Sequence, residues 1–402
     1  PRRHGGAFFV GGRGGCYGFG MTTVQTLVTA MERIAPLKYA ESWDRVGLLV
    51  GDPAAGLDGP VLVTIDLTER VLDEALAMKA GAVVAYHPLI WEPLKRISNE
   101  TAPQRVLLRA IRAGMAIYSP HTALDAVQGG ITDWLCEGLS GSERAGHVVG
   151  DCRALTAHAG LEATQEVKIV TFVPRNKAET LRDALASAGA GLIGNYSLCA
   201  FMTEGTGTFL GNAASRPAVG DQLAIERVEE TRLEMVCSKA ALALAIETLV
   251  RFHPYEKPAV DVIPLAAVPD RHAGAGRRLQ LDHPVSIREL ALRLKGFLGV
   301  QGVHVAAPGS LDGAVSRVGV CPGAGSSLVA AAHRERAELF VTGEMSHHDV
   351  LAANAAGMAV VLAGHTNTER GYMPRLAAKL GAELTGTAVR ISTADRDPLT
   401  AV

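Results

Sequence analysis

Four short segments of this sequence carry histidine and carboxylate side chains that could bind a metal ion. They are "AYHPLIW" with His87, "SPHTALDA" with His121 and Asp125, "GEMSHHD" with Glu344, His347 and His348, and "GHTNTERG" with His365 and Glu369. Imidazole and carboxylate ligands suit Zn, Mn, Fe, Ni or Mg rather than the softer metals that thiolates prefer. If the segments meet in the fold, His87, Asp125, His365 and Glu369 supply ligands for one or two divalent ions.

Each segment alone also has an ordinary structural explanation. His87 precedes a proline, as turn histidines often do, and Asp125 could cap a local turn through backbone hydrogen bonds. Negative charge at Glu344 suits a helix N-terminus, and His347 and His348 fit the first turn of that helix. Only the combination of the four segments indicates a metal site.

The elements that must position these residues alternate between helix and strand. From residue 21 the periodicity predicts helix, strand, helix, strand, helix and a strand in "MAIYSPHTALD" that leads into a loop. The last third alternates in the same way, which predicts an α/β fold with parallel strands covered by helices. His87, His121, Glu344 and His365 each follow a predicted strand, and ligands gather outside the carboxyl ends of such strands.

The glycine-rich segment "CPGAGSS" follows a predicted strand and begins a helix. Backbone amides near Gly323–Gly325 could contact a phosphate group. However, the segment lacks the lysine of a P-loop and the spacing of a dinucleotide fingerprint. A tight turn between strand and helix is therefore the default interpretation.

The middle of the chain has a different order of elements. Residues 166–265 read as strand, helix, two strands, helix and strand, which is typical of a ferredoxin-like α+β domain. Within it, His253, Tyr255 and Glu256 could form a small site, although core packing explains them as well. The segments on either side, about 140–165 and 264–280, are rich in Gly, Ala and Pro, so we expect flexible connections there.

These patterns predict the domain organisation. Residues 21–145 and 276–402 would form one discontinuous α/β domain or a pair of packed halves, with 166–265 as an inserted domain. Residues 1–20 are Gly-rich and basic, and we expect a disordered extension before Met21.

The composition narrows the classes of function. The chain has 402 residues, of which 48% are hydrophobic and 20% are charged, and its formal net charge is −2. Balanced charge and an aromatic content of 5% do not support nucleic-acid binding. No apolar run reaches the roughly 18 residues of a membrane span. The six cysteines are scattered without a CxxC pair, which is typical of reduced thiols in a cytoplasmic protein.

Six motifs occur in an order that resembles a known family. They are "WDRVGLLVGDP", "YHPLIW", "PHTALDA", "GGITDWL", "TGEMSHHD" and "AGHTNTERG". Over residues 21–140 and 276–390 the chain resembles the Nif-three-like dinuclear-metal-centre family, whose members are often described as GTP cyclohydrolase 1 type 2 homologues. The insert resembles the PII/CutA-like domain of the longer, YqfO-like members.

The resemblance implies a homohexamer with a dinuclear metal site that faces an inner cavity. The family's ligand positions correspond to His87, Asp125, His365 and Glu369, with Glu369 expected to bridge two ions. His121 would lie beside the site, either as a group that supports the ligands or as one that handles protons. Together with the ligand set, this supports a metal-dependent hydrolase that acts on a nucleotide or a similar small molecule through a metal-bound water, with His121 and Glu369 as catalytic residues. The alternative is a non-catalytic metal-binding scaffold or regulatory protein.

Two positions depart from the family pattern. Tyr86 stands where many members have the first histidine of a His-His-Pro motif, and tyrosine is a poor ligand near neutral pH because its pKa is about 10. We therefore expect one of the two metal positions to be weaker, lost, or held through an activated phenolate. Arg45 follows Trp43–Asp44 where the family commonly has Asn, which leaves that turn without a predicted role.

Overall fold

The computed structural model of the chain describes residues 22–400, so the extension expected at residues 1–20 lies outside the described residues. Contacts divide the chain into two compact units. The first unit contains the residues up to His158 and those from Arg271 onward, and the second contains Ala159–Asp270. Each unit has its own hydrophobic core.

Helices and strands alternate along most of the chain. The strands are β1 Gly47–Val50, β2 Val61–Thr64, β3 Ala82–Ala85, β4 Ala116–Ser119, β5 Asp151–Gly160, β6 Val167–Pro174, β7 Phe201–Leu210, β8 Ile225–Cys237, β9 Val260–Pro264, β10 Val268–Ser286, β11 His304–Ala306, β12 Ala314–Val320, β13 Leu339–Thr342, β14 Ala359–Leu362 and β15 Val389–Ile391. The α-helices are α1 Val24–Ile34, α2 Glu69–Ala77, α3 Ala102–Arg112, α4 His121–Ala126, α5 Ile131–Ser140, α6 Ala178–Ser187, α7 Lys239–Phe252, α8 Ile287–Leu298, α9 Val329–Arg334, α10 His347–Ala355, α11 Asn367–Arg370 and α12 Met373–Glu383.

The first unit contains a five-stranded sheet in the order β1-β4-β3-β2-β15. Its four strands β15, β2, β3 and β4 are parallel, whereas β1 pairs antiparallel with β4 at the edge. Strands β2, β3 and β4 are buried on both faces, as the continuous apolar runs predict for a parallel sheet covered by helices.

A six-stranded sheet in the same unit has the order β11-β14-β13-β12-β10-β5. Strands β12, β13 and β14 are parallel, whereas β11 pairs antiparallel with β14 and β10 pairs antiparallel with β12. Strand β10 occupies most of the segment 264–280, and β5 occupies residues 151–160 of the segment 140–165, so the expectation of flexible connections was wrong for these residues. Glycine in β10 serves close packing instead: a Cβ at Gly274 would lie 2.1 Å from the carbonyl oxygen of Thr156.

The two outer parts of the chain share one core. Leu27 and Leu135 from the first part pack in the same buried cluster as Leu279 and Leu376 from the last part. The last strand, β15, also joins the sheet of the first part by pairing with β2. The two outer parts of the chain therefore belong to one compact unit.

One local expectation near the candidate ligands was also wrong. The residues after β4 form the short helix α4 rather than a loop. The sequence "HTALDA" contains no glycine or proline, and Pro120 stands at the N-cap, where its missing amide costs no hydrogen bond.

The second unit has the predicted ferredoxin-like order, β6-α6-β7-β8-α7-β9. Its antiparallel sheet has the order β7-β8-β6-β9, and α6 and α7 pack on one face. His253 is buried, and its Nε2 lies 3.0 Å from the carbonyl oxygen of Phe172, which favours the packing interpretation of this residue. Among residues 22–400, no helix has the length and apolar character needed to cross a membrane.

Candidate metal centre

The carboxyl ends of strands from both sheets of the α/β unit border one cavity. His87 follows β3, His365 follows β14, and Glu369 lies on the four-residue helix α11. The backbone of His87 is held in place by hydrogen bonding of the parallel sheet, because its amide donates to the carbonyl oxygen of Ile65. The cavity has a volume of about 680 Å³, and His121 and Asp125 also line it.

The side chains of His87, His365 and Glu369 converge in this cavity, with one potential ligand atom of each within 4.8 Å of the others. Glu369 Oε2 lies 3.5 Å from His87 Nε2, and Glu369 Oε1 lies 3.4 Å from His365 Nε2. Two ligand atoms bound to one ion at about 2.1 Å in tetrahedral geometry would be separated by about 3.4 Å. Each histidine is thus separated from a Glu369 oxygen as two ligands of one cation would be, through a different oxygen of Glu369 in each pair.

Two further features show that these residues fit a cation. Glu369 is 2% exposed, and its Oε2 atom is buried without a hydrogen-bond donor, although a buried carboxylate oxygen normally has a partner. Gly323 leaves space beside it: a Cβ there would lie 2.7 Å from Glu369 Oε1 and 3.2 Å from His365 Nε2. Gly323 also has a φ of +59°, which favours glycine.

A carboxylate orients each histidine that faces the cavity. His87 Nδ1 lies 2.9 Å from Asp66 Oδ1, and His365 Nδ1 lies 2.9 Å from Glu344 Oε1. A bond at Nδ1 fixes the ring and leaves Nε2 for a metal, which is the usual arrangement around metal-bound histidines. The sequence patterns did not indicate this role for Asp66 or Glu344. The available signal was their position directly after β2 and β13.

The carboxylates around the centre create an electrostatic environment that favours positive charge. Burial opposes a charge on His87, but its hydrogen bond to Asp66 and the nearby Glu369 carboxylate raise its pKa to about 10. Asp66 is also partly buried, and the same contact with His87 holds its pKa below the ordinary value. The centre thus favours a positive charge at His87, which either a proton or a metal cation can supply.

Asp125 lies in the same cavity but outside the three-residue group, so its role as a ligand stays a prediction. Its Oδ1 atom accepts a hydrogen bond of 2.7 Å from the Tyr86 hydroxyl. Burial raises the pKa of Asp125 to about 7. Burial, together with the charge of Asp125, raises the pKa of Tyr86 well above its ordinary value. The raised pKa favours the neutral hydroxyl of Tyr86, which donates this hydrogen bond to Asp125.

His121 forms a third histidine–carboxylate pair beside the centre. Its Nδ1 lies 2.8 Å from Asp44 Oδ2, which also accepts hydrogen bonds from the amide and hydroxyl of Thr122. Burial opposes ionisation of Asp44, but these bonds lower its pKa. His121 has a φ of +29°, a strained value for a residue other than glycine. The position of Asp44 assigns a structural role to the "WD" turn that the sequence left open.

The glycine-rich turn favours the default interpretation. The amide of Gly323 donates to Thr368 Oγ1 at 2.9 Å, and the amide of Gly325 donates to the carbonyl oxygen of Glu344 at 3.3 Å. Both amides are thus already used within the protein. His347 and His348 are exposed at the start of α10 and are not members of the three-residue group.

Known proteins match this chain over nearly its whole length. The model of the family Duf34/NIF3 (NGG1p interacting factor 3) matches residues 22–398. A GTP cyclohydrolase 1 type 2 homolog from Halalkalibacterium halodurans is 34% identical over 383 residues, 94% of this chain and 98% of that protein. The Bacillus subtilis protein of the same name is 33% identical over 379 residues, with the same two coverages of 94% and 98%.

A solved structure also matches this chain and is described as related to NIF3. A Bacillus cereus protein related to NIF3 is 32% identical and has a TM-score of 0.62, and the match covers 95% of this chain and 100% of that one. These matches confirm the resemblance indicated by the six ordered motifs. This chain belongs to the Duf34/NIF3 family.

Proposed function

We propose that this chain is a metal-dependent hydrolase that acts on a nucleotide or a similar small molecule. The observation that carries the proposal is the convergence of His87, His365 and Glu369 on one point in a cavity large enough for such a substrate. The name of the relatives, GTP cyclohydrolase 1 type 2 homolog, supports the same class of reaction.

In this proposal, three side chains hold one divalent cation. His87 and His365 would bind through Nε2, because Asp66 and Glu344 engage their Nδ1 atoms, and Glu369 would bind through its carboxylate. When bound, the cation would supply Lewis-acid activation of water and of a polar substrate group. The identity of the ion, among Zn, Mn, Fe, Ni and Mg, stays open.

The His121–Asp44 pair would handle the proton. The contact of His121 Nδ1 with Asp44 would hold a proton on Nδ1, so that Nε2 could accept a proton from a reacting group in the cavity. Glu369 is the other carboxylate close to the reacting groups, and its buried position excludes bulk water from one side of the site.

We also propose that the second metal position of the family is replaced by a hydrogen bond in this chain. The Tyr86 hydroxyl donates to Asp125 at the place where the resemblance predicts a histidine and a metal-binding carboxylate. A proton shared within this pair then neutralises part of the charge that a second cation would neutralise. Wild-type protein should therefore bind one ion per chain, and Tyr86→His should bind two. Elemental analysis that finds two ions per wild-type chain would contradict this replacement.

Turnover of nucleotides by the purified, metal-loaded full chain tests the hydrolase proposal. His87→Ala should lose bound metal and hydrolysis together, because it removes one of three ligands. His348→Ala is the matched control, since His348 is an exposed histidine outside the group, and it should keep both properties. Bound metal without turnover of any nucleotide would favour the scaffold alternative and reject the hydrolase.

The homohexamer, the PII/CutA-like character of the insert and the cytoplasmic location are further parts of this proposal. Sedimentation of the purified full chain tests the first of these. A monomer at micromolar concentration would reject the hexamer without affecting the proposed chemistry.

A further inference from the structure

Two tryptophans are exposed at the metal-centre cavity. The side chains of Trp43 and Trp91 both line it, and these residues are 57% and 55% exposed. Their ring centroids are 6.0 Å apart, with an angle of 51° between the planes. The third tryptophan, Trp134, is instead buried and packs against Phe297. Exposure of large aromatic surfaces to water costs free energy, so a ligand that covered this pair would gain binding free energy.

The pair is connected to the metal centre by a row of rings. The ring of His121 is steeply inclined to both indoles, with its centroid 5.4 Å from that of Trp91 and 6.2 Å from that of Trp43. The ring centroid of His87 lies 5.5 Å from that of His121, and the ring centroid of His365 lies 5.5 Å from that of His87. A molecule that contacts the indoles therefore extends directly toward the three converging ligands.

We infer that Trp43 and Trp91 form the binding surface for a planar aromatic heterocycle, such as a nucleobase, which is the ring part of the substrate. Flat rings stack on indole faces, and this contact is favourable for every base because each has a π-face. The two faces are tilted rather than parallel, so the ring lies against one indole and meets the edge of the other.

The neighbouring residues fix the position of this surface. Asp44 follows Trp43 directly, and its carboxylate holds His121, so one turn positions both the ring surface and the proposed proton acceptor. The inference rests on the proposed function, because it identifies what the reacting molecule presents to this cavity. Ring binding itself needs no metal and no turnover, and it can be measured separately.

The test measures binding of guanosine, adenosine and cytidine to chelator-treated full chain, by calorimetry and by quenching of tryptophan fluorescence. Ribose 5-phosphate is the probe without an aromatic ring. Trp43→Ala and Trp91→Ala should each weaken nucleoside binding by about 5- to 150-fold, and Trp91→Phe should weaken it less. Leu292→Ala is the control, because Leu292 is also 55% exposed but lies on α8 outside the cavity.

The outcomes separate this inference from the proposed hydrolase. Equal nucleoside affinity in the double variant Trp43→Ala/Trp91→Ala, or no nucleoside binding to wild type at millimolar concentration, would overturn the inference. A change in sedimentation of the double variant would assign the pair to a contact between copies of the chain and would also overturn it. Tryptophan-dependent nucleoside binding in a protein that hydrolyses no nucleotide would support the inference and reject the hydrolase.

Discussion

Replacement of Arg277 by methionine should strongly destabilise the α/β unit. Arg277 lies on β10 in the last part of the chain and is 1% exposed. Its Nε donates to Asp133 of α5 at 2.5 Å, and its Nη2 donates to the carbonyl oxygens of Ala126 and Val127. Arg277 therefore links β10, in the last part of the chain, to residues of the first part that directly follow Asp125 in the sequence.

The size of the expected loss in unfolding free energy follows from the polar groups that the substitution leaves without a partner. Methionine fills much of the same volume but leaves Asp133 without its buried counter-charge. It also leaves five carbonyl oxygens without the donors that they have now, those of Ala126, Val127, His272, Gly274 and Gly276. Removal of one partner of a buried ion pair costs about 3–5 kcal/mol. Loss of several hydrogen bonds, at about 1 kcal/mol each, gives a similar sum.

Urea unfolding followed by tryptophan fluorescence measures this cost. All three tryptophans of the chain lie in the α/β unit, so the signal reports on that unit and not on the insert. With a slope of about 3 kcal/mol per molar urea, the midpoint should fall by roughly 1–1.7 M. The control is Arg288→Met, which breaks the largely exposed ion pair with Asp312 and should leave the midpoint unchanged.

A double-mutant cycle identifies the source of the loss. Asp133→Asn should destabilise the unit, but the double variant with Arg277→Met should lose less than the sum of the two single losses, because the contact can be lost only once. A loss below about 1 kcal/mol in Arg277→Met, or strictly additive losses, would refute the reasoning that this buried pair joins the two parts.

Three further predictions concern the metal centre and the C-terminal segment. Gly323→Ala should lower metal affinity at least about tenfold by crowding the ligands, whereas Gly299→Ala, with a similar φ of +68° and open space around it, should leave calorimetric metal binding unchanged. Hydrogen bonds from Ser392 and Thr393 overcome partial burial and lower the pKa of Glu74 from 4.5 to about 2. The resulting stability is present above pH 4.5 and lost as the pH falls toward 2, so the stability difference between wild type and Glu74→Gln should shrink over that range; a pH-independent difference would contradict it. Asp44→Asn should lower turnover roughly 10- to 100-fold with metal content unchanged, and equal turnover would remove the His121–Asp44 pair from the mechanism.

The sequence was sufficient to locate the ligand-bearing segments. The alternation of helix and strand predicts parallel sheets, and the rule that ligands gather at carboxyl ends of strands marks His87 and His365 as candidate ligands. Their approach depends on the packing of two different sheets, which no local pattern shows. Glu369 follows from its spacing to His365. These predictions depend on local periodicity and on a general property of α/β sheets, so they need no knowledge of which strands are neighbours.

The partners of the ligands could not be predicted in the same way. The contacts of Asp66 with His87 and of Glu344 with His365 depend on which strand ends lie side by side. That order is set by long-range packing and not by any local pattern. The pairing of β15 with β2 is of the same kind. The predicted flexibility around Gly274 was wrong because the sequence alone does not distinguish a glycine that allows close strand packing from one that allows a flexible connection.

The metal content of wild type and of Glu369→Gln, measured by elemental analysis after purification, tests the central claim most directly. Glutamine keeps the size of the side chain but removes the charge of the buried carboxylate. We expect one divalent ion per wild-type chain and at least about a tenfold lower affinity for it in the variant. Equal metal content and affinity in the two proteins would contradict a metal centre formed by His87, His365 and Glu369.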